Sequence, residues 1–212
     1  INTQKHTGRI FKVAYGKPKT WQGDLNKLSN EELLKLNLHK NDWFVRHARR
    51  ILQERQADTS ALVKTLKSDL PVPSRLRALW ALHVSGHLHK PMLSNLLNDS
   101  SEHIRAWAIQ LLCENRKPGV AVCKNFAQLA KNDKSPLVRL YLASAMQRLS
   151  FSERIPILKR LLAHAEDVKD QNLPLMYWYA AEPVVAANKK EAIKFLTACK
   201  IPKVRQFITR RL

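Results

Sequence analysis

Arginine is the side chain best suited to holding two oxygens at once, whether of a carboxylate or a phosphate, because its guanidinium is planar and always charged. In this 212-residue chain it recurs at regular places. N-D-W-F-V-R-H-A (41–48), V-P-S-R-L-R-A-L-W-A (72–81), D-S-S-E-H-I-R-A-W-A (99–108) and D-K-S-P-L-V-R-L-Y-L-A (133–143) each place an arginine after an apolar residue, among small ones. The arginines are Arg46, Arg77, Arg105 and Arg139, at steps of 31, 28 and 34 residues, and K-I-P-K-V-R-Q-F-I (200–208) adds a weaker copy with Arg205. Such a series can line a groove and clamp anions, or form a ladder that ties each repeat to the next. Asp42, Asp99 and Asp133 precede the arginine of their own repeat by four to six residues, which favours the ladder. Arg49 and Arg50 are the further candidates for contact with a polyanion.

Other residues with chemical potential are weaker. His83, His87 and His89 offer an i, i+4 pair with a third histidine nearby, but Gly86 interrupts the helix and no cysteine or carboxylate lies within the motif. A solvated helix end, with histidines near the negative pole of the dipole, explains them without zinc. Five tryptophans could stack on bases. Trp80 and Trp107, however, fall at nearly equivalent repeat positions, which points to packing in the core. Cys113, Cys123 and Cys199 sit among apolar residues and read as buried thiols, with a Cys113–Cys123 bridge open. No nucleophile elbow, P-loop, dinucleotide glycine motif or C-x-x-C-H haem attachment is found. No catalytic, cofactor-binding or metal-ligating residue is assigned.

Self-similarity at about 30 residues marks stacked helix pairs. The sequence predicts an all-α, right-handed α-α solenoid of five to six helix pairs over residues 28–212, its second helices lining the concave face. The pairs, with Asp and then apolar-Arg opening the second helix, resemble HEAT repeats. Residues 1–27 are expected to be an extended arm, left over from a preceding domain. Within that arm G-R-I-F-K-V-A-Y (8–15) alternates like a strand with no partner. Ser29 with Glu32 forms a capping box. Pro73, Pro136, Pro174 and Pro202 stand in first turns of second helices, where the missing N–H is harmless. Pro183 lies inside a helical stretch and is expected to kink or end it. No run of about 18 apolar residues exists to span a bilayer. The net charge of +20 attracts polyanions in general, but the basic residues are spread along the chain rather than gathered in one stripe.

Three segments resemble a known family: residues 8–15, H-K-N-D-W-F-V-R-H-A-R-R-I-L-Q-E-R (39–55) and N-L-P-L-M-Y-W-Y-A-A-E-P-V-V (172–185). They are similar to the large planctomycete-type exported proteins named as membrane-bound dehydrogenases with a haem-binding domain. In that family a β-propeller precedes a HEAT segment, and a cytochrome-c-like domain follows. The resemblance implies that this chain is the HEAT segment of a longer, exported or periplasmic protein, consistent with its opening on Ile1. It carries no redox residue onto this chain. The expected role is a monomeric, non-catalytic scaffold whose partner is a protein or the neighbouring domains. The alternative is a nucleic-acid-binding module, similar in architecture to the HEAT-like alkylpurine DNA glycosylases. Those enzymes set a catalytic Asp beside aromatics; here Trp107 is followed by Leu111.

Overall fold

A computed structural model describes residues 13, 15–17 and 21–212. The strand expected over 8–15 falls, but for two residues, outside that set. Among the described residues there are twelve α-helices in six pairs. They are α1 (Asn30–Lys35) with α2 (Asp42–Glu54), α3 (Leu62–Lys67) with α4 (Val72–Val84), and α5 (Lys90–Leu96) with α6 (Glu102–Leu112). Then come α7 (Val120–Asn132) with α8 (Pro136–Ala145), α9 (Phe151–Leu161) with α10 (Leu173–Ala187), and α11 (Lys189–Ala198) with α12 (Pro202–Arg211). The second helices stack in series from α2 to α12, and α7, α9 and α11 stack beside them as the other layer. This is a HEAT-like α-solenoid.

Local chemistry sets most boundaries. The Ser29 side chain accepts from the Glu32 backbone N–H while Glu32 accepts from the Ser29 N–H, and Ser150 with Glu153 repeats the box at α9. Proline occupies the first or second position of α4, α8, α10 and α12. Helix α4 stops at Gly86, whose φ of +76° only glycine adopts freely, and the His87 N–H closes back onto the Leu82 carbonyl as a Schellman bond. Pro183 does not end α10, which runs on to Ala187, and Pro156 is likewise taken into α9. The carbonyl that Pro183 leaves without a donor belongs to Tyr179, four residues back on the solvent side and 55% exposed. Water can serve it there, and the apolar packing of Ala180, Ala181, Val184 and Val185 holds the rest of the helix in place.

The core is a ribbon. One continuous cluster runs from Leu62 to Ile208, and a separate small one (Leu25, Leu33, Ala48, Ile51, Leu52, Ala57) serves the first pair. Alanines are frequent among the buried residues of the second helices, with Ala78, Ala81, Ala106, Ala108 and Ala143 all buried.

Candidate functional site

The arginines fall into a ladder with a register of its own. Counting from the first residue of each second helix, position four is Arg75 in α4, Arg105 in α6, Arg139 in α8 and Arg205 in α12. In each the backbone N–H closes onto the residue just before the helix (Pro71, Ser101, Ser135, Ile201), so the equivalence does not hang on boundary assignment. Arg75, Arg105 and Arg139 reach forward to a carboxylate of the next repeat. Arg75 Nη1 donates to Asp99 at 3.2 Å, Arg105 Nε to Asp133 at 2.8 Å, and Arg139 Nε to Asp167 at 2.8 Å. All three contacts are bidentate. The arginines also grip their own repeat, Arg105 on the Asp99 carbonyl and Arg139 on the Asp133 carbonyl. Asp99 and Asp133 are thus two-way junctions: carboxylate to the repeat before, carbonyl to their own. Their carboxylates also accept from the N–H groups of Ser101 and Ser135, fixing the turn that opens α6 and α8.

Burial is deepest at the last of the three pairs. Arg139 and Asp167 are each only 3% exposed at the side chain. Burial works against the Arg139 charge, but Asp167 outweighs it and holds the guanidinium above its ordinary pKa. Tyr177 donates its hydroxyl to the same carboxylate at 2.6 Å, and burial followed by that bond pushes its pKa up. Position four of α10 is Met176, so the tyrosine ends this run of the ladder.

Several expected members stand elsewhere. Arg77 lies two places past the ladder position and reaches backward, to the His39 carbonyl (3.0 Å) and Asp42 (3.2 Å). In V-P-S-R-L-R it is therefore Arg75 that pairs with Asp99, because the helix starts at Val72 and only its fourth residue faces the following turn. Arg46 does not cross to another repeat. It pairs with Asp42 on its own helix, 73% exposed. Arg205 donates to the Leu196 and Cys199 carbonyls and meets no carboxylate among the described residues. Arg50 is exposed beside Glu54. Asp167, Arg75 and Tyr177 were not singled out in the sequence. Asp167 sits in the linker E-D-V-K-D-Q-N with nothing local to mark it, whereas the fixed position four would have found Arg75.

The second-helix face carries a different constellation. A cleft of about 520 Å³ between α2, α4 and α6 is lined by Arg46, Arg49, Trp80, Trp107, Gln110 and Glu114, among others. Trp80 and Trp107 meet edge to face at 5.0 Å, and the Arg49 guanidinium lies 5.6 Å from the Trp80 ring centroid. Burial lowers the Arg49 pKa; Asp42 partly offsets this, and Arg46 adds to it. The Trp80 indole Nε1 is buried without an acceptor. A second cleft, of about 380 Å³, continues from Gln110 to Tyr141, Ser144 and Arg148. None of the five tryptophans is in the buried core: Trp21 and Trp43 are exposed, and Trp80, Trp107 and Trp178 are half-buried. The expectation of core tryptophans holds only in part: Trp107 and Trp178 pack against the core from its edge, and Trp80 meets Trp107 across neighbouring repeats.

Residues 90–172 match the HEAT-repeat family. The matched stretch opens at α5 and closes just before α10, and contains Asp99, Arg105, Asp133, Arg139 and Asp167. No curated protein matches the chain. HEAT repeats generally serve as protein-interaction scaffolds.

The histidines disperse. His83 Nε2 faces Glu114 at 2.7 Å, His87 faces Asp58 at 3.3 Å and Thr59 at 3.3 Å, and His89 precedes α5. Among the described residues no His, Cys, Asp and Glu side chains gather as a metal site, and no helix is long and apolar enough to cross a membrane. The three cysteines are free and buried. Burial raises the Cys113 thiol to about 12 and the Cys123 thiol to about 11, so both are protonated and unreactive near neutrality.

Proposed function

We propose that this chain is a non-catalytic scaffold, the HEAT segment of a longer exported protein, and that its second-helix face holds a protein partner or a neighbouring domain. One observation carries this reading. The arginines of the middle repeats are consumed in buried ion pairs between repeats, while Arg46 and Arg49 present their charge beside Trp80 and Trp107 in an open cleft. A rigid spine and an aromatic, cationic face are what a docking platform needs: tryptophan and arginine dominate the energetics of protein interfaces. The resemblance to propeller–HEAT–cytochrome proteins supports the larger context, in which the segment sets the spacing of two redox domains.

The test is capture from the native envelope fraction with the parent chain and with an Arg46→Gln/Arg49→Gln variant. The reading expects a protein retained by the parent and lost from the variant. Retention of duplex DNA at physiological salt through the same arginines would favour the nucleic-acid alternative. Turnover of a sugar or alcohol by the chain alone, with an added electron acceptor, would end the non-catalytic reading.

A further inference from the structure

The opposite layer holds a second furrow. Arg160, near the end of α9, stands in the wall shared by two clefts, one of about 640 Å³ between α7 and α9 and one of about 680 Å³ that also meets α11. Its Nη1 is buried and has no hydrogen-bond partner among the described residues. A guanidinium has five donors and no acceptor, and a buried donor left unmade is costly. Glu153, the one carboxylate lining either cleft, is already engaged. Its Oε2 accepts from the Ser150 N–H at 2.9 Å and hydroxyl at 2.7 Å, and its Oε1 faces the Cys123 thiol at 3.7 Å.

The rest of the lining is mixed, with Asn125, Gln128, Ser152 and His164 between an apolar floor and a set of lysines. Val120, Ala127, Pro156 and Ala163 make an apolar floor, with Val120 70% exposed. Lys124, Lys131 and Lys159 stand beside it. Four cations against one occupied carboxylate call for an anionic occupant, and the floor calls for apolar side chains between the anions. We propose that this outer furrow docks an acidic amphipathic peptide segment of a protein partner, with one of its carboxylates taken by Arg160. Nucleic acid fits poorly because the one aromatic ring lining either cleft, His164, is only 13% exposed at the side chain and offers bases little face to stack on. A flat bilayer cannot enter a furrow walled by helices.

The experiment is fluorescence anisotropy with a short labelled peptide of alternating glutamate and leucine, at about 0.15 M salt, where distant surface charges are screened. The parent is expected to bind, and Arg160→Gln to bind at least roughly tenfold more weakly, in keeping with the loss of one charge-assisted hydrogen bond. Arg46→Gln removes the same charge from the opposite face and should bind like the parent, which keeps this test separate from the scaffold reading above. If Arg160→Gln fails to fold, Lys124→Gln/Lys131→Gln at the exposed rim must show the loss instead. Equal weakening by Arg46→Gln and Arg160→Gln would reduce the effect to bulk charge and overturn the proposal. So would absence of binding by the parent, or stronger Arg160-dependent binding of single-stranded DNA or phosphatidylserine vesicles than of the peptide.

Discussion

The junction between the first two repeats and the one between the fourth and fifth use the same chemistry to different ends. At the first, Arg77 meets an Asp42 that is 46% exposed at the side chain, Arg46 shares that carboxylate from solvent, and Val45 holds the place where the ladder would have its arginine. At the second, Arg139 and Asp167 are sealed from water, and Tyr177 completes the carboxylate. An ion pair in water contributes little, whereas a buried one becomes indispensable once formed, because removing either partner strands a charge. The comparison teaches that position within the stack, not residue type, decides which arginines hold the protein together and which are free to meet a partner. The separate small core of the first repeat fits the same division.

Breaking the deep junction should have the largest effect. Arg139→Ala leaves Asp167 buried and uncompensated and is expected to destabilise by about 3–5 kcal/mol, lowering the melting temperature on the order of 10 °C for a chain of this size. A loss no larger than that of Arg46→Ala would erase the distinction between the junctions. Arg105→Ala comes next, at roughly 3 kcal/mol, because Arg105 is 16% exposed while Asp133 is 4% exposed. It should leave polyanion binding nearly unchanged; losing heparin affinity while melting like the parent would reverse the assignment of that arginine.

The R-L-R pair sharpens the register. Arg75→Ala should lower the melting temperature more than Arg77→Ala, since Arg75 and Asp99 are both 11% exposed whereas the Arg77 pair opens to solvent at Asp42. Thermal melts of the two variants side by side decide it, and the opposite order would restore Arg77 to the ladder.

At the exposed end, Arg46→Ala is expected to change stability by no more than about 0.5 kcal/mol. Its readable effect is on Asp42, whose pKa is held below the usual carboxylate value first by the hydrogen bond from Arg46. A carboxylate with a lowered folded pKa contributes stability above its unfolded pKa and loses it as pH falls through the folded value. Side-chain NMR titration of Arg46→Ala should therefore show Asp42 protonating at higher pH than in the parent. The smallest effect concerns the cysteines. With Cys113 and Cys123 raised by burial, iodoacetamide at neutral pH should label the native chain far more slowly than the unfolded one.

What could be read from the sequence was what short-range chemistry controls. The repeat spacing, the capping box at Ser29, the first-turn prolines and the stop at Gly86 all act over one or two helical turns, and they delimit the six helix pairs. The ladder was legible only in outline. That an arginine near the start of each second helix matters follows from the repeated motif. That Arg75 rather than Arg77 pairs with Asp99, and that Arg139 finds Asp167 in a linker with no motif, depends on partners 24 and 28 residues away. Only the stacking of one pair on the next brings those together. The same holds for the aromatics: Trp80 is ninth in α4 and Trp107 sixth in α6, so their spacing in the ladder's register does not pair them. Only the stacking of α4 beside α6 brings them edge to face in an open cleft. Local backbone preferences fix where a helix begins and which residue comes fourth; the close approach of neighbouring helices fixes what that residue touches.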